Sequence, residues 1–354
     1  RRVAGATFDL DHTLEPRHTL AHSCRFALPF HGKDAGMALR LRHLLEYVIF
    51  RAVVAVVHAM PLWAIDVGSR VGGFCMHRLL PRRLTRYRVA AENIRRALGP
   101  DADVEDLIGR MWRHLFRTVG EVIYLRHRLS RHNFRSLIRF RNQQQAVGAL
   151  LSDRPVILLS GHLGNWELAV WIFGVFGFPM GVVARRLDNP YLDRFFLKFR
   201  SDTGHDLLDK NGASGEMVDR LETGRHLAML CDQDAGSHGL FVDFFGHPAS
   251  TFKSIALLAL RYQALICVGY AIRLDSDDGP ERFEVGCEEL IDPATFDGSD
   301  PVTDLTRAYT QALERIVRRA PEQYFWLHRR WKSKPDQQRR RSRRARTGRL
   351  PWAA

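Results

Sequence analysis

Seven residues constrain this chain most: Gly161-His162-Leu163-Gly164-Asn165-Trp166-Glu167. The apolar run Pro155-Val156-Ile157-Leu158-Leu159-Ser160 precedes them and reads as a buried strand. The apolar run Leu168-Ala169-Val170-Trp171-Ile172-Phe173 follows and has the length of a helix. A histidine at a strand-to-helix corner with a carboxylate five residues on can act as a general base oriented by an acid. Along a continuous helix that spacing turns through about 500°, or roughly 140° around the axis, so the side chains would diverge. They meet only if His162 sits on the turn and Glu167 in the first helical turn, as the flanking glycines allow.

The surrounding pattern sets the fold class. From residue 155 onward strands and helices alternate. Strands are predicted over 155–160, 180–184, 227–231, 266–273 and 282–287, and helices over 166–176, 189–203, 214–223, 252–263 and 302–319. This order predicts an α/β fold with a mixed central sheet covered by helices. Residues 37–140 read as helical and residues 141–335 as the catalytic core. Residues 1–36 form an atypical extension, so that Met37 is a natural start, and residues 336–354 form a basic, disordered tail.

With 354 residues, 45% of them apolar, the chain can bury a large core. Its net charge of +14 calls for an anionic partner: nucleic acid, anionic lipid or an acidic protein. Five cysteines without a CxxC or Cys/His ligand spacing indicate free thiols in a reducing compartment, with Cys231 and Cys267 as core residues, and no zinc signature is present.

Leu44 to Ile65 is the most apolar N-terminal stretch. It contains Glu46, Arg51, His58 and Pro61, which disfavour a clean bilayer span. A helix lying in the membrane interface, flanked by arginines that meet anionic headgroups, fits better. A buried helix packed on the catalytic domain is the alternative.

Further residues could carry chemistry. Asp188 or Asn189 can cap the helix that opens at Pro190. Arg200 follows Phe195, Phe196 and Phe199, as a phosphate or carboxylate binder or as a surface arginine lying over core phenylalanines. Asp232 and Asp234 end a strand, where ligands bind in α/β folds, although a capped loop explains them equally. The aromatic stretch from Phe241 to Thr251 could shape an acyl pocket or simply pack. Asp9 and Asp11 match a DxDxT phosphatase-type loop but lack a domain behind them.

Five segments together resemble the late acyltransferases of lipid A biosynthesis, the lauroyl/myristoyl transferase family with its H-x4-D/E motif. They are GHLGNWELA (161–169), ARRLDNPYLDRF (184–195), CDQD (231–234), FVDFFGHPAST (241–251) and PEQYFWLHRRWK (321–332). The chain departs from the family at Arg185-Arg186-Leu187, where RPLDNP is frequent, and at Asp243, where proline is common. The resemblance implies His162 as the catalytic base and Glu167 as the carboxylate that orients it. It places Arg200 and Asp232 at the active site; Arg185 and Asn189, at the basic start of the helix before Arg200, are further candidate substrate-binding residues. It also implies an N-terminal membrane-associated helix and the cytoplasmic face of the cell inner membrane. The expected reaction moves an acyl chain from acyl carrier protein or acyl-CoA to a hydroxyl of an anionic lipid, with no cofactor or metal. A lipid A precursor is the first expectation for the acceptor, with a phosphatidylinositol mannoside, another glycolipid or a lysophospholipid as alternatives. Backbone N–H groups after Gly161, or a cationic side chain, would hold the oxyanion. A basic nucleic-acid-binding protein and a phosphatase using Asp9 and Asp11 are the rival readings.

Overall fold

Strands and helices alternate as the apolar runs require. The computed structural model describes residues 32–125, 128–209, 212, 214–274 and 282–335. Asp9, Asp11 and the arginine-rich tail lie outside the described residues. In chain order the elements are α1 (Gly32–Ala59), α2 (Leu62–Phe74), α3 (Tyr87–Leu98), α4 (Val104–Leu125), β1 (Ile138–Arg141), α5 (Gln143–Leu150), β2 (Val156–Ser160), α6 (Trp166–Val175), β3 (Met180–Ala184) and α7 (Pro190–Ser201). They continue with β4 (Asp206–Asp209), α8 (Ser214–Glu222), β5 (His226–Leu230), β6 (Leu240–Phe244), β7 (His247–Thr251), α9 (Lys253–Tyr262), β8 (Leu265–Arg273), β9 (Phe283–Ile291) and α10 (Pro301–Arg319).

Seven strands form one sheet in the order β1-β9-β8-β2-β5-β3-β4. Every pairing is parallel except β8 with β9, so the sheet is mixed. Successive side chains of β2 divide between two cores. Ile157 and Leu159 pack with α3, α4, α9 and α10, whereas Val156 and Leu158 pack with α5 and β3 on the other face. That two-sided burial explains why β2 reads as a continuous apolar run rather than an alternating one. The chain leaves β2 toward β3 on one side and leaves β5 toward β8 on the other. The connections therefore diverge between β2 and β5, and such a switch point opens a crevice at the carboxyl ends of the strands.

Four strands escape the sequence pattern. β1 falls within the stretch read as helical and pairs with β9. β4 is a short edge strand beside β3. β6 and β7 form a separate antiparallel hairpin from the stretch read as an aromatic loop. Phe244 and Phe245 of that hairpin are buried in the main core, which makes them packing residues, and His247 is exposed.

Among the described residues no helix is long and apolar enough to cross a membrane. The N-terminal helices nevertheless carry the most exposed large apolar residues. Leu45, Val48, Ile49 and Val56 on α1, and Trp63, Val67, Val71 and Phe74 on α2, are all exposed. The inner side of α1 is anchored: Phe50 packs edge-on against Phe195 of α7, with ring centroids 4.9 Å apart.

Candidate active site

Gly161 follows β2 directly, and Cys231-Asp232 follows β5. Because β2 and β5 pair in parallel, these two corners lie side by side at the switch point. The Asp232 side chain is wholly buried. Its Oδ1 lies 2.8 Å from His162 Nδ1, and its Oδ2 accepts the His162 backbone N–H at 2.7 Å. Burial alone would push the Asp232 carboxyl up. The adjoining His162 charge and these hydrogen bonds outweigh it and hold the group down to about 2. An ionised carboxylate only accepts, so Nδ1 of His162 carries a proton, and in the neutral ring the other nitrogen holds the lone pair. Space at Gly161 is tight: a Cβ would stand 3.0 Å from Leu313 and 3.3 Å from the Asp232 carboxylate.

This arrangement corrects one expectation. The hydrogen bond to Nδ1 that the sequence assigns to Glu167 is made by Asp232. Glu167 does sit in the first turn of α6, whose N-cap is Asn165. Its carboxylate is held by Arg200, with Nη2 to Oε1 at 2.6 Å and Nε to Oε2 at 3.2 Å. Burial works against the Arg200 charge, but the Glu167 carboxylate more than compensates and raises its pKa. Both groups are only about a fifth exposed, so Arg200 is more than a surface arginine. Removing one partner of a buried pair leaves the other charge uncompensated. We expect Arg200→Ala to lower stability by about 1–3 kcal/mol, less than a fully buried pair because some solvent reaches it, and to reduce turnover. Denaturant midpoints and steady-state kinetics check this; unchanged values in both would return Arg200 to a passive surface role.

Two further expectations change. Asn189 is buried, and its hydrogen-bonding groups are engaged within the protein. Its Oδ1 caps α7 at Tyr191 and Leu192, and its Nδ2 donates to the His43 carbonyl and to Glu46. It is a helix cap that ties α7 to α1, with no capacity left for a ligand. Arg185 is largely exposed and pairs with Asp188 on the surface. The backbone N–H groups after Gly161 are also taken. His162 donates to Asp232, Leu163 to the Gly161 carbonyl, Gly164 to Gln323 and Asn165 to Ala271. None of these four can serve a developing oxyanion.

His162 faces a cavity of about 430 Å³. Phe50 and Val54 of α1, Leu115, Val119 and Val122 of α4, and Phe195 and Phe196 of α7 line it, together with His58, His162, Trp166, Glu167, Phe325 and His328. The volume falls within the roughly 300–1,000 Å³ typical of small-ligand sites. A second, small cavity of about 60 Å³ is lined by Trp166, Glu167, Arg200 and His205.

Aromatic rings surround the base. Trp166 lies 5.4 Å from the His162 ring and His328 lies 4.6 Å away, edge-on. Burial and the neighbouring His162 charge press His328 down to about 4, so it is neutral near pH 7. The strap after α10 delivers Phe325 and His328, and the Phe325 N–H bonds the His162 carbonyl at 2.9 Å. Neither residue stands out singly in the sequence, although both lie in the segment PEQYFWLHRRWK. Arg330 of the same segment is buried and clamps Gln233, Ser250 and Thr251 behind the Asp232 loop.

The family of bacterial lipid A biosynthesis acyltransferases matches residues 35–333. A phosphatidylinositol mannoside acyltransferase of Mycolicibacterium smegmatis is 27% identical over 231 residues, 61% of this chain and 70% of the relative. The lipid A biosynthesis lauroyltransferase of Escherichia coli is 29% identical over 185 residues, 52% of this chain and 58% of the relative. The lipid A biosynthesis palmitoleoyltransferase of the same organism is 27% identical over 191 residues, 53% and 59% of the two chains.

Proposed function

The chain belongs to the bacterial lipid A biosynthesis acyltransferase family and is an acyltransferase, and from that premise we propose that His162 and Asp232 transfer a fatty acyl chain from a thioester to a lipid hydroxyl at a membrane surface. The observation that carries this reading is a histidine–carboxylate pair whose histidine lines a largely apolar cavity of about 430 Å³. The acyl chain lies among the side chains of α1, α4 and α7, with its thioester carbonyl beside His162. Asp232 holds Nδ1–H, so the opposite nitrogen accepts the proton of the acceptor hydroxyl. The oxygen attacks the thioester carbonyl, the tetrahedral adduct collapses, and the thiolate leaves with the proton returned by His162. No enzyme-bound acyl intermediate is required. Glu167 and Arg200, fixed on each other, shape the wall beside the reacting carbonyl.

The exposed apolar faces of α1 and α2 support docking onto a membrane interface. Arg42, Arg51, Arg70, Arg78, Arg82 and Arg83 border them and suit anionic headgroups on the cytoplasmic side. A net charge of +14 suits both an anionic lipid acceptor and acyl carrier protein, itself strongly acidic, as donor. Acyl-CoA is the alternative donor. For the acceptor, a lipid A precursor and a phosphatidylinositol mannoside are the two classes that the names of the relatives suggest.

The test is mass spectrometry of the products formed from acyl-carrier-protein or acyl-CoA donors with each acceptor in anionic vesicles. An acyl mass increment on one acceptor supports the reading, and thiol release without acylated lipid contradicts it. The cavity makes its own prediction. Val122→Trp fills the space of roughly four methylenes at about 0.8 kcal/mol each, so kcat/KM for long-chain donors is expected to fall about 10²-fold. A four-carbon donor should be affected only a few-fold. Equal losses for both chain lengths would mean that the chain lies elsewhere.

A further inference from the structure

A buried polar chain runs from α4 to the turn that carries His162. His114 of α4 is buried, and its Nε2 lies 3.1 Å from the Gly164 carbonyl. Its Nδ1 lies 2.7 Å from Nη1 of Arg273, the last residue of β8. A guanidinium only donates, so Nδ1 of His114 is the acceptor and Nε2–H the donor to Gly164. The tautomer follows from the partners. Burial and the Arg273 charge also hold His114 well below the usual histidine range, which keeps it neutral. Arg273 is fixed in turn by Glu121 through Nε at 2.9 Å and through Nη2. Arg117 bridges Glu121, at 3.1 Å, to Asp66 of α2, at 2.8 Å.

Gly164 is the hinge of the catalytic turn. Its φ is +57°, and a Cβ there would come within 2.1 Å of the Ala271 carbonyl. Its N–H goes to Gln323, and Gln323 in turn bonds the backbone N–H and carbonyl of Arg273. Its carbonyl goes to His114. Two residues earlier stands His162, whose ring must meet Asp232 and the cavity together.

We propose that His114 is a positioning residue for acyl transfer, holding the Gly164 carbonyl so that the His162 imidazole keeps its register with Asp232. The inference rests on the His162–Asp232 reading given above. A ring displaced by about 1 Å can cost about 10²-fold in rate. Leucine at position 114 fills the space but leaves the Gly164 carbonyl and the Arg273 guanidinium without their partner. Glutamine can donate through its amide N–H to Gly164 and accept from Arg273 through its amide oxygen.

The experiment compares wild type, His114→Leu, His114→Gln and His162→Ala by steady-state acyl transfer, circular dichroism and thermal midpoint. His114→Leu is expected to lose about 10²-fold in kcat with donor KM changed by less than about threefold, while the purified protein stays folded. His114→Gln should recover most of the lost kcat. A folded His114→Leu with near-normal kcat would overturn the proposal, as would losses in both variants that only track the unfolded fraction. If His114→Leu does not fold, His114→Asn replaces it, since its shorter amide cannot reach both partners, and the same outcomes apply. His162→Ala separates the two readings. If it retains turnover, the catalytic base is wrong; if it is inactive while folded His114→Leu is normal, only the positioning role fails.

Discussion

His162→Ala is expected to abolish acyl transfer while leaving the fold intact. The side chain packs among Trp166, Phe325 and His328, and its backbone amide and carbonyl remain bonded to Asp232 and Phe325 after truncation. The turn therefore survives the loss of the ring. The chemistry does not, because a lipid hydroxyl is a weak nucleophile and the titratable groups beside His162 are poorly suited to take its proton. Glu167 is neutralised by Arg200, and His328 is pressed down to about 4, which makes it a poor base. General-base assistance accounts for about 10²–10⁴-fold in rate, and the loss should fall at or beyond the upper end of that range. Single-turnover measurements with a long-chain thioester and vesicle-bound acceptor read it directly. Near-normal turnover would remove His162 from the reaction.

Asp232→Asn is expected to cost about 10³–10⁴-fold in kcat with a small change in donor KM, by the logic of histidine–carboxylate pairs in hydrolytic triads. The amide is nearly isosteric, so packing is kept. Its NH2 end can turn toward Nδ1 and force the His162 proton onto the nitrogen that must act as base. It also removes the negative charge that supports the imidazolium formed during proton transfer. A fully buried carboxylate held at about 2 stays ionised at any working pH, so its charge is present whenever the imidazole acts. If Asp232→Asn mainly raised KM, the residue would belong to binding and not to the base.

The sequence exposed the sheet and the base more readily than the base's partner. β2, β3, β5 and β8 carry apolar runs buried on both faces, and their limits are legible to within a residue or two. β1 and β4 are short, partly exposed edge strands, and their pattern is too weak to separate from helix or loop. His162 stands at the end of the clearest strand and is visible from local context. Asp232 lies 70 residues away, and only the parallel β2–β5 pairing makes the two neighbours. Glu167 is the nearer carboxylate in the sequence. In the first turn of α6, however, its carboxylate is taken by Arg200. The cavity was illegible for a related reason. Its walls come from α1, α4 and α7, elements far apart in the sequence, and none of them shows it alone. The same holds for His114, which looks like one more polar residue of α4 until Arg273 arrives from the end of β8.

Non-additivity is the most direct test of the central claim that His162 and Asp232 act as one base. The measurement is a double-mutant cycle on kcat for acyl transfer, using His162→Ala, Asp232→Asn and the double variant in one assay. If the carboxylate works only through the imidazole, the double variant should be no slower than His162→Ala alone. Losses that multiply, with the double variant slower by the product of the two single effects, would show two independent roles and contradict the account.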